Sequence, residues 1–178
     1  MRYLRHLLTD NMKKTLYLVR HSKATREFSQ INDIDRPLME RGCHDAQKMS
    51  VTLQESFPQV DLMLASPSVR TFSTALIFAR TLNYPINDIK IDKKIYQAGS
   101  RDLLSVINHL DDKYSSVLLF AHNPGISRLL NMIVGMDNGQ FATSAYAIVH
   151  FDLDQWAAIS AGTGKLLSYR QPRETIYT

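Results

Sequence analysis

The sequence predicts an α/β fold: a three-layer sandwich in which helices cover both faces of a mainly parallel sheet. Three observations carry this. Short apolar runs such as TLYLVR (15–20) and SSVLLFA (115–121) have the length and composition of strands buried on both faces. Other segments repeat apolar residues every three or four positions, the period of an amphipathic helix. The two patterns alternate along the chain, which is the order of βαβ units.

Residues 15–20 give the first strand. In 38–57, Gly42, Ala46, Met49, Leu53 and Phe57 form a stripe at helical spacing, and VDLMLA (60–65) is a second strand. Ser66-Pro67 then suits a helix start, with the serine as cap and the proline at the first helical position. Val69, Phe72, Leu76 and Ala79 make the face expected to be buried. A short strand near 89–92 precedes a helix near 100–110, whose apolar side carries Leu103, Ile107 and Leu110. The run 115–121 leads through Asn-Pro-Gly into a helix near 125–134 with Ile126, Leu129, Leu130 and Ile133. AYAIVHFD (145–152) and KLLSYRQ (165–171) close the sheet as two strands, with the turn-rich AGTG (161–164) between them.

The 178 residues fit one domain, and no repeat or Gly/Ser/Pro-rich linker divides them. An apolar fraction of 44% and a charged fraction of 21% are ordinary for a globular protein. A net charge of +4 suits an anionic ligand but is too small and dispersed to imply nucleic acid. Cys43 is the only cysteine, which excludes an internal disulfide and fits a cytoplasmic location. On the first helix it reads as a buried structural thiol. No apolar run is long enough to span a bilayer, so no membrane partner is expected. Residues 1–12 read as an N-terminal extension without the sustained apolar core of a secretory signal. Met12 reads as a second start, and the domain occupies 13–178. His6, His44, His109 and His150 show no metal-ligand spacing with carboxylates, so neither a metal nor another cofactor is expected.

Parallel sheets bind ligands beyond the carboxyl ends of their strands. The chemically capable residues fall there: Arg20 and His21 after the first strand, Ser66 and Arg70 after the second, His122 and Asn123 after the run 115–121. Guanidinium groups grip phosphate bidentately. A neutral imidazole can attack phosphorus, giving a phosphohistidine intermediate that divides transfer into two steps. A second imidazole, if protonated, can neutralise a phosphoryl oxygen. Taken singly, each has a plainer reading: a surface turn for Arg20-His21, a solvated helix face for Arg70, a capping turn for His122.

At these residues the sequence resembles a known family. LVRHSKA (18–24) is similar to the Leu-Val-Arg-His signature of the histidine phosphatase superfamily. DIDRPLMERG (33–42) resembles the Asp-x-x-Arg-Pro-Leu-x-x-x-Gly segment of its small phosphohistidine phosphatase branch, the SixA type. ASPSVRTFSTA (65–75) is similar to the Ser-Pro-x-x-Arg-x-x-x-Thr-Ala segment, and AHNPGIS (121–127) to the second-histidine motif, usually Gly-His-Asn-Pro. The resemblance runs from about Lys13 to the strand near 170. It implies the phosphoglycerate mutase-like fold, with His21 as nucleophile, Arg20 and Arg70 as phosphate ligands, and His122 completing the pocket. Asn123 would join the substrate-binding set. Asp35 and Arg36 would shape the pocket rim; their plainer reading is a loop ion pair or a cap ahead of Pro37.

The chain departs from the pattern twice. Ala121 replaces a common glycine, a small change unless the backbone there needs a positive φ. Gln97, in YQAGSRDLL (96–104), follows the Tyr where many relatives carry Glu or another residue, and an amide cannot donate a proton as a carboxylic acid does. Imidazole, with a pKa of about 6.5, needs less help in leaving than an alcohol. The expected substrate is therefore phosphate or a phosphorylated molecule, and first among these the phosphohistidine of a protein. A small phosphorylated metabolite is the alternative enzyme substrate, and a non-catalytic phospho-ligand binding module is the alternative of another class. Asp102 or Glu27 could supply a proton in place of Gln97.

Overall fold

The apolar run after Met12 becomes β1 (Lys14–Arg20), the strand around which the sheet is built. The computed structural model describes residues 14–25, 30–56 and 60–172, so the expected extension 1–12, Glu27 and Phe57 lie outside the described residues. The helix α1 (Glu40–Ser56) follows, then β2 (Leu62–Ala65), α2 (Val69–Thr81) and the short β3 (Lys90–Ile91). The second half runs α3 (Ser100–Asn108), β4 (Ser116–Ala121), α4 (Gly125–Val134), β5 (Tyr146–Phe151) and β6 (Lys165–Arg170).

The six strands lie in the order β3-β2-β4-β1-β5-β6. The first four are parallel, and β5 runs antiparallel to both of its neighbours. Side chains alternate between two cores. Leu16, Leu18, Leu62, Leu64, Val117 and Leu119 pack with α3 and α4. Tyr17, Val19, Met63, Leu118 and Phe120 pack with α1 and α2. Cover on both faces is why β1 and β4 read as unbroken apolar runs. Among the described residues no helix is long and apolar enough to cross a membrane.

Two helix expectations change. Helix α2 begins at Val69, two residues after Pro67, and Ser68 rather than Ser66 holds the N-cap position. Its buried side carries Arg70, Thr71, Thr74, Ala75, Phe78 and Ala79, while Val69 is 38% exposed and Phe72 and Leu76 are half-buried. The helix points its first turn at a polar cluster, so its inward residues there are polar and apolar periodicity misplaces the face. Cys43 is exposed, not buried. It lies one position round α1 from the stripe of Gly42, Ala46, Met49 and Leu53 that meets the core.

Two glycines permit close backbone approaches. A Cβ at Gly42 would stand 2.2 Å from the Lys23 carbonyl oxygen, so α1 can pack on the loop after His21 only because residue 42 has none. A Cβ at Gly125 would stand 2.0 Å from the Ala98 carbonyl oxygen, which fixes the start of α4 against the turn that carries Tyr96 and Gln97.

Candidate active site

The carboxyl ends of β1, β4 and β2 are level. Arg20 pairs with Ala121, and Ala65 with Phe120, so the residues that follow emerge side by side. His21 and His122 are thereby brought to a ring-centroid distance of 5.1 Å. The His21 N–H bonds the Ala121 carbonyl at 3.2 Å, and its own carbonyl accepts from the Ser144 N–H at 3.3 Å. Ala121 ends a regular strand and is not among the residues with positive φ, so the missing glycine costs nothing here.

The His21 Nδ1 lies 2.8 Å from the Ser22 carbonyl oxygen. A carbonyl only accepts, so Nδ1 carries the proton and Nε2 keeps its lone pair. Burial lowers the His21 pKa to about 4, opposed by the Ser22 hydrogen bond and reinforced by the positive charges of Arg70, Arg20 and Arg36. At neutral pH the ring is an uncharged base.

His122 is buried, its Nε2 lying 2.7 Å from the Ser66 hydroxyl and 3.3 Å from that of Thr71. Thr71 in turn meets the Ser68 hydroxyl at 2.8 Å. The His122 Nδ1 is buried without a hydrogen-bond partner among the described residues. Burial, then the neighbouring His21 and Arg70, push its pKa down to about 3, with Asp33 working in the opposite direction. A bound dianion would reverse the sign of that field and favour protonation.

Each arginine is held by an acceptor. Arg20 Nη1 donates to the Phe141 carbonyl at 2.6 Å. Arg70 Nη2 donates to Asp33 Oδ2 at 2.8 Å, and its Nη1 donates to the Asp33 carbonyl. Asp33 also accepts from Arg36 Nη1 at 2.9 Å and from the Tyr96 hydroxyl at 2.9 Å. Partial burial works to raise the Asp33 pKa, but these hydrogen bonds from Arg70, Tyr96 and Arg36 outweigh it and bring it down to about 2. The Tyr96 ring meets His122 edge-on at 5.7 Å.

Of the sequence-nominated residues, Arg20, His21, Arg70 and His122 come together. Arg36 joins them at the rim, where it forms the loop ion pair with Asp33 and donates to the Thr25 carbonyl at 2.6 Å. Asp35 is exposed, its side chain 3.4 Å from the Asn32 amide and outside the cluster. Asn123 acts as a loop anchor: its amide donates to the Phe141 carbonyl at 3.0 Å and accepts from the Ser127 hydroxyl at 2.6 Å. Asp33 and Tyr96 are the residues that reasoning from sequence missed. A signal for Asp33 existed, because it stands three positions before Arg36, where the Asp-x-x-Arg-Pro-Leu spacing puts the acid. Tyr96 carried none.

Gln97 sits beside the site with a left-handed φ of 55°, its amide 3.3 Å from the Tyr96 hydroxyl. Asp102 is spent on the Gly99 N–H at 2.9 Å, at the start of α3. Among the described residues no group of three or more His, Cys, Asp or Glu is placed to hold a metal ion. Two guanidinium groups and two imidazoles, one with a free lone pair, suit a tetrahedral oxyanion that can be attacked in line.

A family model for the histidine phosphatase superfamily (branch 1) matches residues 16–95. The chain is 28% identical over 166 residues to an uncharacterized protein of Mycobacterium tuberculosis, covering 87% of this chain and 100% of that one. It is 26% identical over 140 residues to the phosphohistidine phosphatase SixA of Escherichia coli, covering 77% of this chain and 85% of that one. It superposes on the protein assigned as phosphohistidine phosphatase SixA in Agrobacterium tumefaciens with a TM-score of 0.75 at 26% identity, over 90% of this chain and 99% of that one. A protein histidine phosphatase SixA complexed with tungstate shares the fold, with a TM-score of 0.72 at 24% identity over 88% and 96% of the two chains. The family match opens on β1 and closes at the residue before Tyr96, spanning the segments that deliver His21, Asp33 and Arg70 to one sheet edge, and over those segments the chain is similar to the histidine phosphatase superfamily.

Proposed function

We propose that this phosphatase works through a phosphohistidine formed on His21 Nε2, and that its substrate is the phosphohistidine of a protein. The observation that carries the reading is the His21 ring itself. Its Nδ1–H is committed to the Ser22 carbonyl and its pKa lies at about 4, so Nε2 offers a lone pair at neutral pH. Arg20 and Arg70 bind the phosphoryl oxygens, and His122, protonated once the dianion is bound, shares their developing charge. In the first step Nε2 bonds to phosphorus as the bond to the leaving group breaks. In the second, water attacks phosphorus, inorganic phosphate leaves and His21 returns to its neutral form.

The leaving group follows from what stands at the rim. Asp33, pulled down to about 2, is ionised at neutral pH and cannot donate a proton. Gln97 has none to give. A phosphohistidine protonated on its other ring nitrogen leaves as neutral imidazole without an acid, whereas an alkoxide needs one. The similarity to SixA proteins supports the same substrate class. The single cysteine, a free thiol, fits a cytoplasmic setting.

The test is hydrolysis of an aryl phosphate by wild type and by His21→Ala, with trapping of an acid-labile phosphoenzyme. Equal inertness of the two proteins would favour a phospho-ligand binding module instead. Comparing a phosphoramidate with an alkyl phosphate then addresses the substrate; equal turnover would sink the phosphohistidine assignment and favour a small phosphorylated metabolite.

A further inference from the structure

On the α3 side of the sheet, the outer strands β2 and β3 are left with a groove between their surface and the flank of the helix. The cavity measures about 380 Å³ and shares no lining residue with the cluster around His21. That size falls in the range of small-molecule sites, roughly 300–1,000 Å³. Leu62, Leu64, Val106 and Leu110 give it an apolar wall.

Two cations, Lys90 and Lys94, stand against that wall; the Lys90 ammonium meets the Tyr114 hydroxyl at 3.3 Å and lies in the field of Asp111. Among the described residues, neither Lys90 nor Lys94 has a carboxylate within ion-pair distance. The acids that line the groove are committed elsewhere: Asp111 to the Lys113 ammonium at 2.9 Å, and Asp92 to the Lys94 backbone N–H at 2.8 Å. Tyr114 adds an aromatic surface, with the Lys90 ammonium 5.4 Å from its ring centroid. His109 follows the last turn of α3, and its Nδ1 donates to the Ser105 carbonyl at 2.7 Å. Its Nε2 is therefore left as an acceptor.

A free phosphate ion would use the lysines and waste the wall and the acceptor. A purely apolar molecule would leave the lysines facing it without a counter-charge. We propose that the groove binds a nucleoside monophosphate: the phosphate meets Lys90 and Lys94, the base lies on the apolar wall, and its amino group donates to His109 Nε2. This site is separate from the catalytic one and stands whether or not His21 is the nucleophile.

The probe is AMP, titrated calorimetrically into protein whose phosphatase turnover has been fully blocked with tungstate. One AMP should bind per chain, with adenosine and inorganic phosphate each at least about tenfold weaker. The double variant Lys90→Ala/Lys94→Ala, changed only on the surface, should keep aryl phosphatase activity and lose about tenfold in AMP affinity. His109→Ala should weaken AMP while leaving phosphate unaffected. Failure of AMP to bind, or equal affinity in the double variant, would each overturn the assignment.

Discussion

The two ends of β1 treat positive charge in opposite ways. At its start, Lys14 is 3% exposed, and its ammonium donates to the Asp112 carbonyl at 2.6 Å and the Tyr114 carbonyl at 3.0 Å. The Asp112 carboxylate lies 3.8 Å away, and the Trp156 ring centroid 5.5 Å away. Six residues on, Arg20 and His21 enter a cluster with Arg70, Arg36 and His122 in which Asp33 is the carboxylate on hand. There the cations repel a further charge strongly enough to help keep both imidazoles neutral. The first end has been neutralised for stability. The second keeps an excess of positive charge that Asp33 offsets only in part, and a phosphoryl group would relieve it on binding.

Substitutions at the two ends should therefore separate cleanly, and the largest effect belongs to His21, the proposed nucleophile. His21→Ala should lower kcat/KM for an aryl phosphate by about 10⁴-fold or more, because no neighbouring group replaces the lone pair on Nε2. Its denaturation midpoint should hold, since the substitution removes a group whose burial is already unfavourable to its charged form. Next comes Arg70→Ala, with an expected loss of about 10³-fold in kcat/KM, carried mainly by KM. Its pair with Asp33 bears on stability too, but Asp33 is partly solvated, so the expected cost is about 1 kcal/mol. A fall of several kcal/mol in urea denaturation, with KM unchanged, would make Arg70 a structural residue like Lys14.

The fold and the core of the site were legible because they depend on periodicity and on strand ends. Apolar runs marked β1 and β4, and the four polar residues after parallel strands had to emerge at one edge. The rim was not legible, because Asp33, Arg70, Tyr96 and His122 meet only in space. Asp35 is next to Arg36 in sequence, yet the 3₁₀ turn Asp33–Asp35 leaves it exposed and turns Asp33 toward Arg70. The inward face of α2 failed for a related reason: a helix that begins over a polar pocket buries Arg70, Thr71 and Thr74, and hydrophobicity does not score them.

The mirror experiment on the stabilised end is Lys14→Ala. It takes the Lys14 donor from the Asp112 carbonyl and leaves the Tyr114 carbonyl with the Trp156 indole N–H at 2.8 Å, at an expected cost of about 2 kcal/mol in urea denaturation. Turnover should change by less than about twofold, for Lys14 touches no residue of the catalytic cluster. A comparable loss of activity would mean that the two ends of β1 are coupled, contrary to the division drawn above.

The smallest effect sharpens the comparison by isolating a buried imidazole with no catalytic duty. His150, on β5 opposite Thr15 and Lys165, is 3% exposed, and neither ring nitrogen has a hydrogen-bond partner among the described residues. Burial, then Lys165, lowers its pKa to about 4. Between that value and the unfolded one near 6.5, the unfolded chain binds a proton that the native chain refuses, so stability must fall as pH drops through this window. His21 and His122 contribute with the same sign, which makes the wild-type loss a sum over both regions. His150→Leu removes one contributor while keeping the wall apolar. It should raise stability at pH 7 by about 1 kcal/mol and flatten the decline between pH 6.5 and 4.5, with kcat unchanged. An undiminished decline would assign the whole acid sensitivity to the catalytic pair, and with it the cost of keeping those imidazoles neutral.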